Sequence, residues 1–425
     1  MHFKPSQALL SISVFCILSS VTMTHASPRF GGPDSVENTI EDNKKVQQKS
    51  WLEVLKENHH FTFGLDYNVI GVYATDPNQD NSSAFLGTET SSASGVARFY
   101  GSWEIIGRQS GNAGGLSWKL EYRDAYTETA PKWHGLYGGI NMAGMNGAAY
   151  NDQGGRLTLL HWKQKFNSGK TTVIAGWVDV TDYVDAYALA SPWSGFTNLA
   201  FSTGAGSMAL PDDGILSLAV GHLFTDNFYL IASASDGAGY SDDPLSGFDS
   251  LFNKHELFTT LELGFTASAD RIYTDNVHVT AWHLDATTQE DGTSYRHGTK
   301  DSKGLNFSAS YFATPQIMPF IRGGFSKGDA SLTKASVSAG LGYFGLGSAK
   351  NNLGVAVNWS QANNKHVDFG GLFKDENQYI MELYYNIALG KYFNITPDIQ
   401  YIKNPSLNFT EDSTWLLGLR LNAKI

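Results

Sequence analysis

The residues best able to do chemistry gather in one stretch. Between positions 181 and 214 stand Tyr183, Tyr187, Trp193, Phe196 and Phe201, interleaved with Asp182, Asp185 and Asn198. Aromatic rings offer flat apolar faces, and the carboxylates and amide beside them make hydrogen bonds. That pairing suits a solute with apolar C–H faces and hydroxyl edges, so Trp193 and Asn198 are candidate ligand contacts. The competing role for each aromatic is to pack the segment against whatever supports it. Just upstream lies Gly176-Trp177-Val178-Asp179. In an extended strand Trp177 and Asp179 share a face, and a wet environment for Asp179 carries Trp177 into it. Trp177 would then stack on a ring while Asp179 and Arg98 bond its hydroxyls. In the alternative, Trp177 sits in an outward aromatic belt and Asp179 reaches water at the strand end. Glu104 and Arg123 complete the candidate set, each with a competing role in a cross-strand charge ladder.

Other chemistries fare worse. His161, His222 and His278 fall in strand-like runs with serines elsewhere, but no motif fixes a nucleophile, base and orienting group, so no catalytic residue is assigned. Asp179, Asp182 and Asp185 lack the spacing and central glycine of an EF-hand, which leaves a solvated loop and no metal site. No cofactor motif is present. The single cysteine, Cys16, lies in an N-terminal segment expected to be removed, so zinc–thiolate and cysteine-nucleophile chemistry are excluded. With 30 basic against 41 acidic residues the net charge is −11, and nucleic acid is not an expected partner.

The elements that must position these residues follow from periodicity. An apolar run from Ala8 to Val21 and the small-residue stretch Thr24-His25-Ala26 have the form of a secretory signal over residues 1–26. Residues 27–60 form a polar periplasmic lead-in, with a short helix from Trp51, Leu52 and Leu55 that ends near Asn58. No apolar run of helix-spanning length follows, although aromatics reach 13% and glycine 44 residues. From Phe61 onward the pattern has period two, and residues 61–425 divide into sixteen strand candidates. These begin near Phe61, Ser94, Leu116, Arg156, Thr171, Ile215, Phe228, His255, Val277, Leu305, Met318, Lys334, Leu353, Gln378, Thr396 and Ser413. Long and short connections alternate, as in an even-numbered outer-membrane barrel with both ends in the periplasm.

The alternation also sorts faces. Phe99, Trp103 and Ile105 oppose Arg98, Tyr100, Ser102 and Glu104; Leu116, Trp118, Leu120 and Tyr122 oppose Ser117, Lys119, Glu121 and Arg123; Trp415, Leu417, Leu419 and Leu421 oppose Arg420, Asn422 and Lys424. The charged face is too continuous for a solvated rim, which puts the apolar face outward toward lipid. The predicted fold is all-β: a transmembrane, antiparallel, up-and-down β-barrel of sixteen strands with a short N-terminal periplasmic helix, in a Gram-negative outer membrane. Inward charges of both signs (Arg98, Lys119, Arg123, Lys163, Arg322 and Arg420 against Asp66, Glu104, Glu121, Asp179, Glu382 and Asp398) give a balanced polar wall fit for a neutral solute.

Near the C-terminus, Glu382-Leu383-Tyr384-Tyr385 precedes Ile395-Thr396-Pro397-Asp398-Ile399-Gln400-Tyr401-Ile402 and Asn404-Pro405. This block resembles the close of the carbohydrate-selective porins of the OprB type. Gly176-Trp177-Val178-Asp179, Phe196-Thr197-Asn198-Leu199-Ala200-Phe201 and the opening Trp51…Leu55…Phe61-Thr62-Phe63 are similar to the same family. One departure is Ile425, where an aromatic commonly ends such barrels. The resemblance implies a sixteen-stranded barrel with sugar uptake through a narrowed lumen. It also makes the segment Thr181–Gly214, after the fifth strand, the loop that folds inward to set the constriction. The implied partners are small neutral carbohydrates and outer-membrane lipid, and a monomer and a homotrimer both stay open. No plug-sized domain is seen before the barrel, which favours passive diffusion. The alternatives are a general diffusion porin without sugar selectivity and a barrel-type outer-membrane hydrolase.

Overall fold

The computed structural model describes residues 51–78, 89–144, 149–286, 300–365, 373–374 and 377–424. The expected signal segment and the lead-in up to residue 50 lie outside the described residues. Helix α1 spans Trp51–His59, where its apolar spacing placed it, and Trp51 packs on Phe63 at 5.6 Å between ring centroids.

Strands then follow without interruption by a second domain: β1 (Phe61–Ala74), β2 (Ser91–Ile106), β3 (Gly114–Ala125), β4 (Gly154–Phe166), β5 (Thr171–Val178), β6 (Ile215–Leu223), β7 (Phe228–Asp236), β8 (Leu257–Thr266), β9 (Asn276–Leu284), β10 (Ser302–Ser310), β11 (Ile317–Lys327), β12 (Thr333–Phe344), β13 (Asn352–Ala362), β14 (Asn377–Leu389), β15 (Phe393–Lys403) and β16 (Ser413–Lys424). Each pairs antiparallel with its sequence neighbours, and β16 returns to β1 through Asp66 opposite Lys424 to Ala74 opposite Leu416, closing the barrel. Closure satisfies the strand backbone in hydrocarbon, where water cannot. The observed starts lie within three residues of those expected from period two; Ser91, Ser302 and Phe393 differ most.

The faces divide as the alternation required. Leu120 and Tyr122 on β3 and Leu417, Leu419 and Leu421 on β16 stand exposed on the outside, while Glu121, Arg123 and Arg420 are buried inside. On the lipid face a Lys or Arg near the midplane costs about 2–4 kcal/mol, which is why that face carries leucine and aromatics.

Two features of the strands position the functional site. β5 has eight residues where β2 has sixteen, so the chain leaves the wall at Val178, part way along the barrel. The connection that follows, residues 179–214, therefore starts inside; it is called the inner loop below. It contains tight turns at Val180–Asp182, Leu199–Phe201 and Thr203–Gly206. Helix α2 (Pro131–Tyr137) and helix α3 (Ser246–Asp249) lie in other long connections at the outer end.

Candidate functional site

The inner loop is fixed to the wall by three sets of bonds. The first centres on Asp185, which is fully buried with a left-handed φ of 46°. Its carboxylate accepts from Arg322 Nη2 on β11 at 2.7 Å and from the Gly204 N–H at 2.8 Å, and lies 2.9 Å from His278 Nε2 on β9. Its own N–H donates to Glu262 on β8 at 2.8 Å. The second set lies across the barrel. The Thr197 and Asn198 N–H groups donate to Glu382 on β14 at 2.6 and 3.1 Å, and Asn198 Nδ2 donates to Gln400 Oε1 on β15 at 3.0 Å. Arg420 on β16 donates to the Pro192 and Gly195 carbonyls at 2.9 and 2.6 Å. The third set holds the loop's return. Arg123 on β3 pairs with both Asp213 and Glu121, and Arg156 on β4 donates to Asp212 at 2.8 Å. Burial alone would raise the Asp213 carboxyl, but the Arg123 and Arg156 guanidinium charges win and hold it well below the usual carboxylate range.

Between these anchors the loop's aromatics form an apolar core inside the barrel. Phe196 lies 4.9 Å from Tyr384 and 5.0 Å from Phe201, and Tyr187 lies 5.3 Å from Phe320, centroid to centroid. Inward apolar residues of the wall, among them Ile70, Ile380 and Ile402, join the same cluster. Full burial of each such ring contributes about 1.5–3 kcal/mol, so the loop is part of the fold and not a tethered lid. Here the competing role of the aromatics wins: Phe196, Phe201 and Tyr187 pack the loop and present no free face.

Among the described residues, one open space lies against β1–β5. A cavity of about 350 Å³ is bounded by Tyr100, Ser102, Ser117, Lys119 and His161 on the wall and by Asp179, Asp182 and Tyr183 of the loop. A second space of about 310 Å³ lies toward the short-turn, periplasmic end. Arg98 lines both. Its guanidinium is gripped by Asp66 at 2.7 and 2.6 Å and lies 3.9 Å above the Trp193 ring, so Trp193 brings the loop to the wall at the junction of the two spaces. In the larger cavity Lys119 on β3 faces the field of Asp182 and Asp179. Burial, and next the Asp182 charge, push the Asp179 carboxyl up to about 7 against the pull of Lys119.

The sequence candidates separate in the folded barrel. Arg98 and Trp193 are in contact, and Arg98 joins Asp179 in lining the larger cavity. Asp179 also caps the first turn of the loop, accepting from the Thr181 N–H at 2.9 Å. Trp193 is 9% exposed, held between Arg98 and the Tyr150 ring at the edge of the smaller space, so it orients Arg98. Asn198 is a correction: it is wholly buried under the loop and caps the Leu199–Phe201 turn. Arg123 is another, because both Glu121 and Asp213 engage it at the loop's return. Glu104 faces inward but near the periplasmic rim, 3.6 Å from His60 and 3.9 Å from Lys165, away from the inner loop.

Trp177 is the clearest correction. It stands on the outer face opposite Leu160 and Leu216, donates Nε1–H to the Pro244 carbonyl at 2.8 Å and meets Phe248 of α3 edge-on at 6.0 Å. The shared-face argument fails because the strand ends between the two residues: after Val178 the Asp179 cap turns the chain inward. Next to it, Gly176 has a φ of +133°, and a Cβ there would lie 2.5 Å from the Leu160 carbonyl oxygen. The Trp177→Ala barrel should lose about 2 kcal/mol of stability from the missing ring contacts, seen as a lower unfolding midpoint, with unchanged single-channel conductance. Altered conductance at unchanged stability would return Trp177 to the lumen.

Beside Asp182 of the loop, Tyr100, Lys119 and His161 line the larger cavity without having been singled out as ligand contacts. The signal was present for Tyr100 and Lys119, since both alternate with Arg98 and Arg123 on inward faces. What their sequence lacked was any mark of which stretch of inward face the loop would leave uncovered.

Comparisons with known proteins agree with this architecture. No curated protein was found as a sequence relative. Among solved structures, OprB of Pseudomonas putida at high pH superposes with a TM-score of 0.65 at 15% identity, over 88% of this chain and 96% of that one. The same protein at low pH gives 0.46 at 13% identity, over 88% and 95%. A triple mutant of the Rhodopseudomonas blastica porin gives 0.42 at 12%, over 85% and 99%. The first of these likenesses shows the fold. The model described as "Carbohydrate-selective porin, OprB family" matches residues 87–424, most of the chain and all of the barrel from β2 onward. This chain therefore belongs to the OprB family of carbohydrate-selective porins: it is a β-barrel channel of the Gram-negative outer membrane and not an enzyme.

Proposed function

We propose that small neutral sugars cross this barrel by passive diffusion through the cavity between β1–β5 and the inner loop, with Tyr100 as the ring they stack on. The observation that carries this is the composition of that cavity. Tyr100 lies over Gly64, where a Cβ would come within 2.7 Å of the tyrosine ring, so the ring is laid along the wall beside Ser102, Ser117, Lys119 and Asp182. An aromatic ring flanked by hydroxyls and by charges of both signs matches a neutral polyhydroxylated ring, whereas a ring of one sign would favour ions. Arg98, held by Asp66 and Trp193, borders the cavity on the side away from the periplasm, since β2 carries Tyr100 and Ser102 beyond it toward the short turn, and supplies fixed donors there.

The Tyr100→Ala channel should show sugar block weakened about fivefold, the equivalent of about 1 kcal/mol for a lost aromatic contact. Titrating a neutral hexose against single-channel current reads this directly. Sugar-insensitive current in the unmodified protein would favour the general diffusion porin instead. A homotrimer is supported by one feature only, the outer loop around α3, where Leu245 and Phe252 stand 69% and 67% exposed.

A further inference from the structure

The second space, of about 310 Å³ beneath the inner loop, has a chemistry different from the first. We infer that it is a binding site for a monosaccharide carrying one anionic group. This rests on the porin assignment above and concerns a chamber that the neutral-sugar proposal does not use.

Three lysines border it: Lys350, Lys391 and Lys424. None of them forms an ion pair among the described residues, and Lys391 lies 5.2 Å from the Tyr392 ring. Among the described residues the only carboxylate in the lining is Asp66, and Arg98 already holds both its oxygens, at 2.7 and 2.6 Å. Among the described residues the chamber therefore carries an excess of positive charge at its exposed rim, although the whole chain is at −11. Amides supply the second half of the chemistry. Asn352 and Asn386 line the chamber, and the Oδ1 of each is buried with no hydrogen-bond partner; Asn386 is 4% exposed. A buried amide oxygen without a donor is costly, and a sugar hydroxyl can donate to it, or accept if the amide is turned over. Lysines call for an anion and the amides call for hydroxyls. One small molecule that satisfies both is a sugar acid or a sugar phosphate. A neutral sugar leaves the lysines unmatched, and a bare anion leaves the amides unmatched.

The position also fits a staging role. Lys350 lies in the turn between β12 and β13 and Lys391 in the turn between β14 and β15, both at the periplasmic end. The chamber shares Arg98 and Lys424 with the first cavity and lies beside it on the periplasmic side of Arg98, so a solute held there is close to release.

The test is single-channel recording of the whole barrel in planar bilayers with glucose, glucuronate, glucose 6-phosphate, acetate and inorganic phosphate added in turn from the periplasmic side. Near 0.1 M salt, where the screening length is about 10 Å, at least one anionic sugar should block at a concentration about fivefold below that of glucose. That preference should vanish in the Lys350→Gln, Lys391→Gln double variant and near 1 M salt, where screening falls to about 3 Å. The tighter of the two anionic sugars identifies the anionic group as carboxylate or phosphate. Equal block by glucose and both anionic sugars overturns this inference and leaves the neutral-sugar function standing. Acetate or inorganic phosphate blocking as tightly as the sugar of like charge also overturns it, as does a preference that survives loss of the lysines. Failure of glucose to block would count against the proposed function alone, because the lysine dependence of the anionic block is read separately.

Discussion

Replacing Trp193–Phe201 with a short glycine-serine bridge should raise single-channel conductance about twofold or more, because the lumen of a barrel this wide is limited by what fills it. This span carries the ring that meets Arg98 and the two N–H groups that sit on Glu382. Removing it frees the loop from β14–β16 and opens that part of the cross-section to water. The charges left behind, Glu382, Asp398 and Arg420, become groups on a water-filled inner wall, the ordinary condition of a porin lumen, so the barrel keeps its strands. Conductance in planar bilayers, compared at equal heat-modifiability on gels, is the measurement. Unchanged conductance from a correctly folded barrel would mean the current is limited elsewhere.

Asp185→Ala should release the same loop from the opposite wall. Asp185, His278 and Arg322 are all at most 2% exposed, and Arg322 pairs with no other carboxylate among the described residues. Deleting one partner of a buried pair costs about 3–5 kcal/mol, chiefly because the other charge is left unmatched. Alanine adds strain of about 1–2 kcal/mol at a φ of 46°, a region asparagine and aspartate tolerate better. The Gly204 N–H donates to Asp185 Oδ2 at 2.8 Å and so reports on the anchor. Its hydrogen exchange should quicken on the order of a hundredfold or more in Asp185→Ala, and channel current should become noisier. Asp185→Asn, which keeps the shape and the backbone preference, should fall between. Exchange at Gly204 unchanged in Asp185→Ala would show that the anchor lies in the apolar core around Phe196 instead.

Much of this protein is legible in its sequence. Period-two alternation in runs such as Leu417, Leu419 and Leu421 against Arg420 dictated strands, their number and which face meets lipid, because a strand has only two faces and hydrocarbon rejects charge. The alternation of long and short connections gave closure and orientation. The length and aromatic content of residues 181–214, with the family resemblance, identified the loop that enters the barrel. Those inferences are local: each needs only neighbours in sequence.

The site was decided elsewhere. Thr197 meets Glu382 across 185 residues and Asp185 meets Arg322 across 137, and no periodicity encodes which inward residues a loop will cover. Coverage turned Asn198 and Arg123 from candidate contacts into anchors, and left Tyr100 and Lys119, equally inward and equally unmarked, facing the open cavity. Trp177 shows the same limit at a single position. Alternation holds only while the strand lasts, and the end of β5 at Val178 is set by the cap at Asp179 and by where the loop's anchors pull the chain. Sequence therefore determined the barrel and the sidedness of its residues, because those follow from local periodicity and the hydrophobic exclusion of charge. Tertiary structure alone decided which inward residues line the passage, because that depends on contacts closed over long stretches of chain.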